Sequence, residues 1–268
     1  MSGFRSPDHQ ITRSPDSQAA QSIVSYYLAL LRRWGPQNWW PAQSRFEVIV
    51  GAYLTQNTNW TNVEKAIANL RSDRALSLDS LRKLPLAKLE ILIRPSGYYR
   101  QKALKLKTFI RHLDKNYSGS LDRMFAQPTE KLREELLSLN GVGPETADSI
   151  LLYAGGHAVF VVDAYTRRIL ERHGIITPKT SYEDIRLLIE QAVQSTEPEH
   201  LLQLEKGADP RHPQSRMSRA VRSELAQHYN ELHALIVRAG NQFCRSTPKC
   251  EGCPLRDFLP AGAEATVS

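Results

Sequence analysis

Apolar residues recur along most of this 268-residue chain three and four positions apart, the interval that gathers them on one face of a helix. Phe46, Ile49, Val50, Tyr53 and Leu54 fall at i, i+3, i+4, i+7 and i+8, the stripe of a helix with one buried face. Ile23, Val24, Tyr27, Leu28 and Leu31 predict an earlier helix, from Ser22 to the stop at Gly35-Pro36. Val63, Ala66, Ile67 and Leu70 predict another, and Leu78 to Ile93 has room for two short ones. Ala103, Leu106, Ile110 and Leu113 mark the buried side of a helix within Arg94–Lys115. Further helices are expected at Thr129–Leu137, Tyr182–Gln194 and Met217–Ala239. No pair of alternating runs joined by a turn signal appears, so the pattern predicts an all-α chain without internal repeats. Residues 1–19, rich in Ser, Pro, Asp and Gln, have no apolar period and read as a disordered tail. Lys206 to Ser218, with Arg211 and Arg216, reads as a mobile basic loop.

The densest signal lies between Leu139 and Arg168. Gly141-Val142-Gly143 makes a tight turn that exposes backbone amides, and Pro144 follows where a first helical turn tolerates proline. Ala147, Ile150, Leu151 and Ala154 carry the helix to Gly155-Gly156. A short apolar run, Ala158–Val162, then delivers Asp163 to the start of a second helix bearing Tyr165, Thr166, Arg167 and Arg168. Taken singly, a Gly-x-Gly turn is common, and an aspartate at a helix start is usually a cap worth about 1 kcal/mol.

Composition narrows the partner. A formal charge of +7 favours a polyanion, nucleic acid before an anionic membrane surface. No apolar stretch approaches the ~20 residues that span a bilayer, and no signal-like core opens the chain, so a cytoplasmic, nucleoid-associated protein is expected. The basic residues between Arg94 and Lys115 read as a solvated face or, following the Gly97-Tyr98-Tyr99 turn, as a DNA contact. All three cysteines, Cys244, Cys250 and Cys253, cluster near the C-terminus, which argues for a local thiolate site rather than a disulfide scaffold.

Together the blocks LNGVGPETA and VVDAYTRRIL resemble the helix-hairpin-helix motif and catalytic aspartate of the endonuclease III superfamily of DNA glycosylases. The runs NWWPAQSRFEVIVGAYLTQNTNW and IRPSGYYRQKALKLK bring the chain nearer to the endonuclease-III-like 3-methyladenine DNA glycosylases, over most of residues 35–175. That resemblance implies two helical lobes flanking a DNA-binding cleft: a six-helix central lobe over 43–140, a second lobe from 20–42 and 155–240, the hairpin 139–154 at their junction, and a cysteine-containing tail over 241–268. It implies a monomer acting on double-stranded DNA with a damaged base. Asp163 would be catalytic; Trp39, Trp40, Pro41, Trp60 and Glu145 would form the base pocket, with ordinary core packing an equal reading for Trp40. Gln56 and Tyr98 would enter the duplex, and Gly141, Val142, Gly143, Arg167 and Arg168 would contact DNA.

Three departures from the family bear on chemistry. Glu145 stands where bifunctional members carry the lysine that forms a Schiff base, and a carboxylate cannot form an imine, so the resemblance implies a monofunctional glycosylase. Some members also place a lysine near the pocket in the last long helix, where Leu235 aligns here. The cysteine spacing resembles the family's iron–sulfur loop, but Leu259 occupies the fourth position, leaving a four-iron cluster with a non-cysteine ligand, a three-iron cluster, a zinc site and a metal-free loop all open. The competing functions are a glycosylase and abasic-site lyase for oxidised or mismatched bases, and a non-catalytic DNA-binding protein using only the hairpin.

Overall fold

A computed structural model describes residues 15–37, 39–196 and 215–260. Among them there is no strand, and twelve α-helices carry the fold. The first is α1 (Pro15–Trp34); it begins inside the stretch expected to be a disordered tail, because its polar first turns show no apolar period. Residues 1–14 lie outside the described residues, as does 206–214 of the expected basic loop.

Seven helices, not six, occupy 43–140: α2 (Arg45–Thr55), α3 (Trp60–Ser72), α4 (Leu78–Lys83), α5 (Leu86–Leu92), α6 (Tyr99–Tyr117), α7 (Leu121–Phe125) and α8 (Thr129–Leu137). The unforeseen one, α7, is too short to display a period; its buried Met124 and Phe125 hold it down. After the hairpin come α9 (Pro144–Ser149), continued by a wide π-helical turn over Ile150–Gly155, then α10 (Ala164–Arg172), α11 (Tyr182–Gln194) and α12 (Glu224–Gln242).

Side-chain caps fix most of the starts. Ser44, Asn59, Ser77, Ser120, Asp163, Ser181 and Ser223 each accept a hydrogen bond from the backbone N–H three residues on. Ser223 explains why the last helix begins at Glu224 and not at Met217. Residues 215–218 instead form a buried turn, in which Ser215 Oγ donates to Trp40 O at 2.7 Å and Met217 N to Ala42 O at 3.1 Å. That end of the expected basic loop is therefore anchored, and only Arg216 of its buried turn is exposed.

The helices pack as two groups. One is built on α2 and α6, with α3, α4, α5 and α7 around them; in the other, α1 packs on α11 and α12, and α12 on α10. The α9 segment joins the groups: its π-helical turn lies against both α2 and α12. Ile150, Leu151, Leu152 and Tyr153 are accordingly buried to 1 % exposure or less. One continuous apolar core runs through both groups, and the cleft opens beside this seam.

Candidate active site

The cleft holds about 1210 Å³ and is lined from both groups, by Trp39, Trp40, Pro41, Gln56, Trp60 and Glu64 on one side and by Glu145, Tyr153, Asp163, Tyr182 and His233 on the other. Three indoles form its apolar wall. Trp39 and Trp60 lie 6.5 Å apart between centroids and are tilted by 43°. A flat ring stacked between two others needs about 7 Å and near-parallel planes, so these two indoles would have to turn to sandwich a planar group. Trp40, at 7 % exposure, stands edge-on to Trp60 and packs 4.8 Å from the Tyr153 ring, so it is both core and floor of the cleft. Trp60 Nε1 donates to Glu64 Oε1 at 2.9 Å, one helical turn away, which fixes that indole and brings a carboxylate to the rim.

Asp163 sits at the head of α10 with backbone angles of −99° and −178°, extended as an N-cap must be. Its Oδ1 accepts from Thr166 N at 2.7 Å and Thr166 Oγ1 at 2.8 Å, while Oδ2 is 3.7 Å from His233 Nε2. Two buried side chains hold the segment that delivers it. Phe160 N donates to Glu190 Oε1 at 2.8 Å, and Val162 N donates to Tyr182 Oη at 3.2 Å. Tyr182 in turn donates to Asp148 Oδ2 at 2.9 Å, and Asp148, fully buried, is paired with Arg133 at 2.7 Å. Arg133 and Arg186 both engage Glu183, and Arg186 also binds Glu190, so one ion-pair network ties α8, α9 and α11 behind the segment that carries Asp163.

Glu145, in the first turn of α9, shares the cleft with Asp163. Glu145 remains exposed at the cleft; lost hydration of its carboxyl, and then the charge of Asp163, push its pKa up to about 7.

The hairpin has the geometry its glycines suggest. Gly141 adopts φ +79°, a conformation that favours glycine, and the end of the Lys105 side chain lies 2.1 Å from where a Cβ would stand. Gly143 caps α9 and is exposed, whereas Val142 is buried at 7 % exposure and anchors the turn. Gln56 is committed inside the protein: it donates to Gly141 O at 3.0 Å and Thr146 Oγ1 at 2.9 Å, and accepts from Lys105 Nζ at 2.7 Å. Its neighbour Asn57 is exposed, with φ +52°. Tyr98, also left-handed at φ +45°, projects from the start of α6 at 65 % exposure.

Several expectations shift. Arg167 donates to Thr180 O at 2.9 Å and Arg168 to Cys244 O at 2.6 Å; neither lines the cleft, and both serve internal packing rather than presenting free cations. Leu235 is fully buried, and α12 faces the cleft with His233, Ala234, Val237, Arg238 and Asn241 instead. Sequence reasoning missed His233, Tyr153, Tyr182, Glu64 and Lys105; a signal for the first was available, since 233, 237 and 241 lie at i, i+4 and i+8.

The three cysteines line a separate cavity of about 280 Å³ together with Arg172 and Leu259. Burial is the leading influence on the Cys253 thiol and raises its pKa. Arg172 donates to Cys244 Sγ at 3.2 Å, to Arg245 O at 2.6 Å and to Ser246 O at 2.9 Å, pinning the loop to α10. An apolar Leu259 lines the wall where a fourth thiolate would be needed, and no group of three or more Cys, His, Asp or Glu among the described residues is arranged to hold a metal ion. The residues do not fit a four-thiolate cluster, and no chemical step is derived through one.

Comparison with known proteins then decides the family. Residues 50–195 match the family model for HhH-GPD superfamily base excision DNA repair proteins. The chain belongs to that superfamily. It is 41% identical over 240 residues to the Methanocaldococcus jannaschii protein named "Putative DNA repair glycosylase MJ1434", covering 89% of this chain and 96% of that one. Thermotoga maritima endonuclease III is 27% identical over 213 residues, 79% of this chain and 81% of its own. Among solved structures, the H. pylori 3-methyladenine DNA glycosylase bound to 1,N6-ethenoadenine superposes with a TM-score of 0.67 at 30% identity, covering 85% of this chain and 97% of that one. A non-covalent endonuclease III–DNA complex shares the fold, with a TM-score of 0.66 at 20% identity over 93% and 99% of the two chains. The protein is thus an HhH-GPD base excision repair DNA glycosylase with an all-α fold of two lobes. Among the described residues no helix is long and apolar enough to cross a membrane.

Proposed function

We propose that this glycosylase is monofunctional, that it acts as a monomer on double-stranded DNA, and that it flips an alkylated purine such as 3-methyladenine into the indole-lined cleft and releases it by hydrolysis. The observation that carries this reading is the pair of carboxyl groups, Asp163 and Glu145, in one cleft with Trp39, Trp40 and Trp60. An alkylated purine is a delocalised cation that aromatic faces attract, and it departs neutral, so little acid catalysis is needed. As the glycosidic bond lengthens, positive charge grows on the sugar; a fixed carboxylate at Asp163 Oδ2 stabilises it while water supplies the hydroxyl. Damaged bases also unstack at lower cost, which favours their entry. Hairpin amides at Gly141 and Gly143 are suited to a phosphate oxygen and set the register of the duplex. Tyr98 is the ring exposed for insertion beside the flipped nucleotide, and Gln56 would have to exchange its internal partners to enter the gap.

A glycosylase with lyase activity needs an amine nucleophile, and Lys105 lines the same cleft. Its hydrogen bond to Gln56 holds it beside the hairpin, and it does not occupy the helix position filled here by Glu145. The test is single-turnover base release from duplexes each bearing one lesion, with borohydride added in parallel. Release of alkylated purines at least about 100-fold faster than of oxidised pyrimidines, with no trapped adduct, is expected. A covalent adduct or a preference for oxidised pyrimidines would overturn the proposal.

A further inference from the structure

We propose that His233, held by Tyr153, is the positioning residue for the Asp163 carboxylate; this rests on the catalytic reading of Asp163 given above. His233 projects from α12 to the back of the cleft and is 6 % exposed. Its two ring nitrogens are in unlike surroundings. Nδ1 is hydrogen-bonded with the phenol of Tyr153, itself 1 % exposed, whereas Nε2 is buried with no hydrogen-bond partner and lies 3.7 Å from Asp163 Oδ2.

The tautomer follows from electrostatics. Burial lowers the pKa of His233, which favours the neutral imidazole, and raises that of Tyr153 well above 10, so the phenol keeps its proton. A neutral imidazole has one N–H. Were it on Nδ1, the Nε2 lone pair would face a carboxylate across 3.7 Å; with the phenol donating to Nδ1, the proton sits on Nε2 and points at Asp163. The other charged groups around this pair are Glu145 from α9, Glu231 from α12 and Arg222 from the segment before it. Arg222 donates to Ala220 O and Met217 O, and Glu231 accepts from Gln37 N and Gln227 Nε2, while the Thr166 cap binds Oδ1, so His233 Nε2 is the ring nitrogen facing Oδ2.

A separation of 3.7 Å is longer than a hydrogen bond, so the contact is poised rather than made. A shift of about 0.5 Å on substrate entry brings N–H and Oδ2 within bonding range. It would then fix the direction of the reactive oxygen while the imidazole stays neutral, leaving the negative charge on Asp163 undiminished for the sugar cation. Because the donor is needed only at the chemical step, its loss should lower the rate and leave DNA affinity alone.

The experiment compares His233→Leu, His233→Gln and Tyr153→Phe with wild type and with Asp163→Asn, in single-turnover base release and in affinity for uncleaved duplex. His233→Leu should slow release about 10- to 100-fold, the range of a charge-assisted hydrogen bond. His233→Gln, whose amide N–H reaches the same place, should recover most of that loss, and Tyr153→Phe, which removes one buried oxygen and is the milder test of folding, should lose a smaller part. Nitrogen NMR of the imidazole should report a neutral ring protonated on Nε2, with the preference weakened in Tyr153→Phe. A wild-type rate in His233→Leu, no better rate in His233→Gln, or a ring protonated on Nδ1 would overturn the inference. If Asp163→Asn also kept its activity, the catalytic reading itself would fail; if only the His233 variants did, that reading would survive.

Discussion

Two carboxyl groups in one cleft are useful only if their environments set them apart. Asp163 is a helix cap with one oxygen bound by Thr166, whereas Glu145 is pushed up to about 7 by lost hydration and by its acidic neighbour. The sign of the consequence is fixed: a carboxyl raised to about 7 is mostly neutral near pH 6 and mostly ionised near pH 8. Above its pKa, Glu145 adds a second negative charge beside the developing sugar cation. Base release should therefore rise several-fold between about pH 6 and pH 8 in wild type, and Glu145→Gln should flatten that rise without lowering DNA affinity. An unchanged profile in Glu145→Gln would remove Glu145 from the reaction. Asp163 and Glu145 were legible in the sequence because each occupies a recognisable place relative to the hairpin. Tyr153 was not, since a tyrosine in an apolar run carries no local mark of what it faces, and for His233 the spacing of 233, 237 and 241 marks a shared helix face without saying what that face meets.

At the scale of elements, the hydrophobic period gave the long helices, and capping side chains corrected their ends. Ser223, not the apolar residues before it, starts α12, and the first turns of α1 escaped notice because they are polar. The supports of the catalytic segment were the least legible part. Arg133 comes from α8, Asp148 from α9, and Tyr182, Arg186 and Glu190 from α11, and only the folded chain brings these three helices together behind Ala158–Asp163. Removing one member of that network isolates a buried charge. Arg133→Ala should cost about 3 kcal/mol or more of stability in urea denaturation, because Asp148 is left fully buried without its guanidinium. Replacing both partners with apolar residues, Arg133→Met with Asp148→Leu, should cost less than the single change. Equal stability of Arg133→Ala and wild type would mean that Asp148 does not depend on the pair.

For the whole molecule, the arrangement of two helical groups matters because each supplies half of the cleft. The indole wall comes from the chain before the hairpin and the acidic wall from the chain after it, and the α9 segment packs against both. An excess positive charge of +7 over the chain suits the approach to a polyanion, yet the cleft itself carries Glu64, Glu145 and Asp163. The surface thus favours DNA in general, and under the proposed function the three carboxyl groups of the cleft, set beside Lys105 and Arg238, would draw in a cationic base. Length, helical class and cleft-forming motifs could be read from the chain, while the roles of Arg167 and Arg168 could not, since a pair of arginines looks the same whether it meets phosphate or carbonyl oxygens. The most direct test of the account is single-turnover release of an alkylated purine by Asp163→Asn, with duplex affinity measured on the same preparation. The account predicts a fall of about 100-fold or more in release with binding intact; release at the wild-type rate would contradict it.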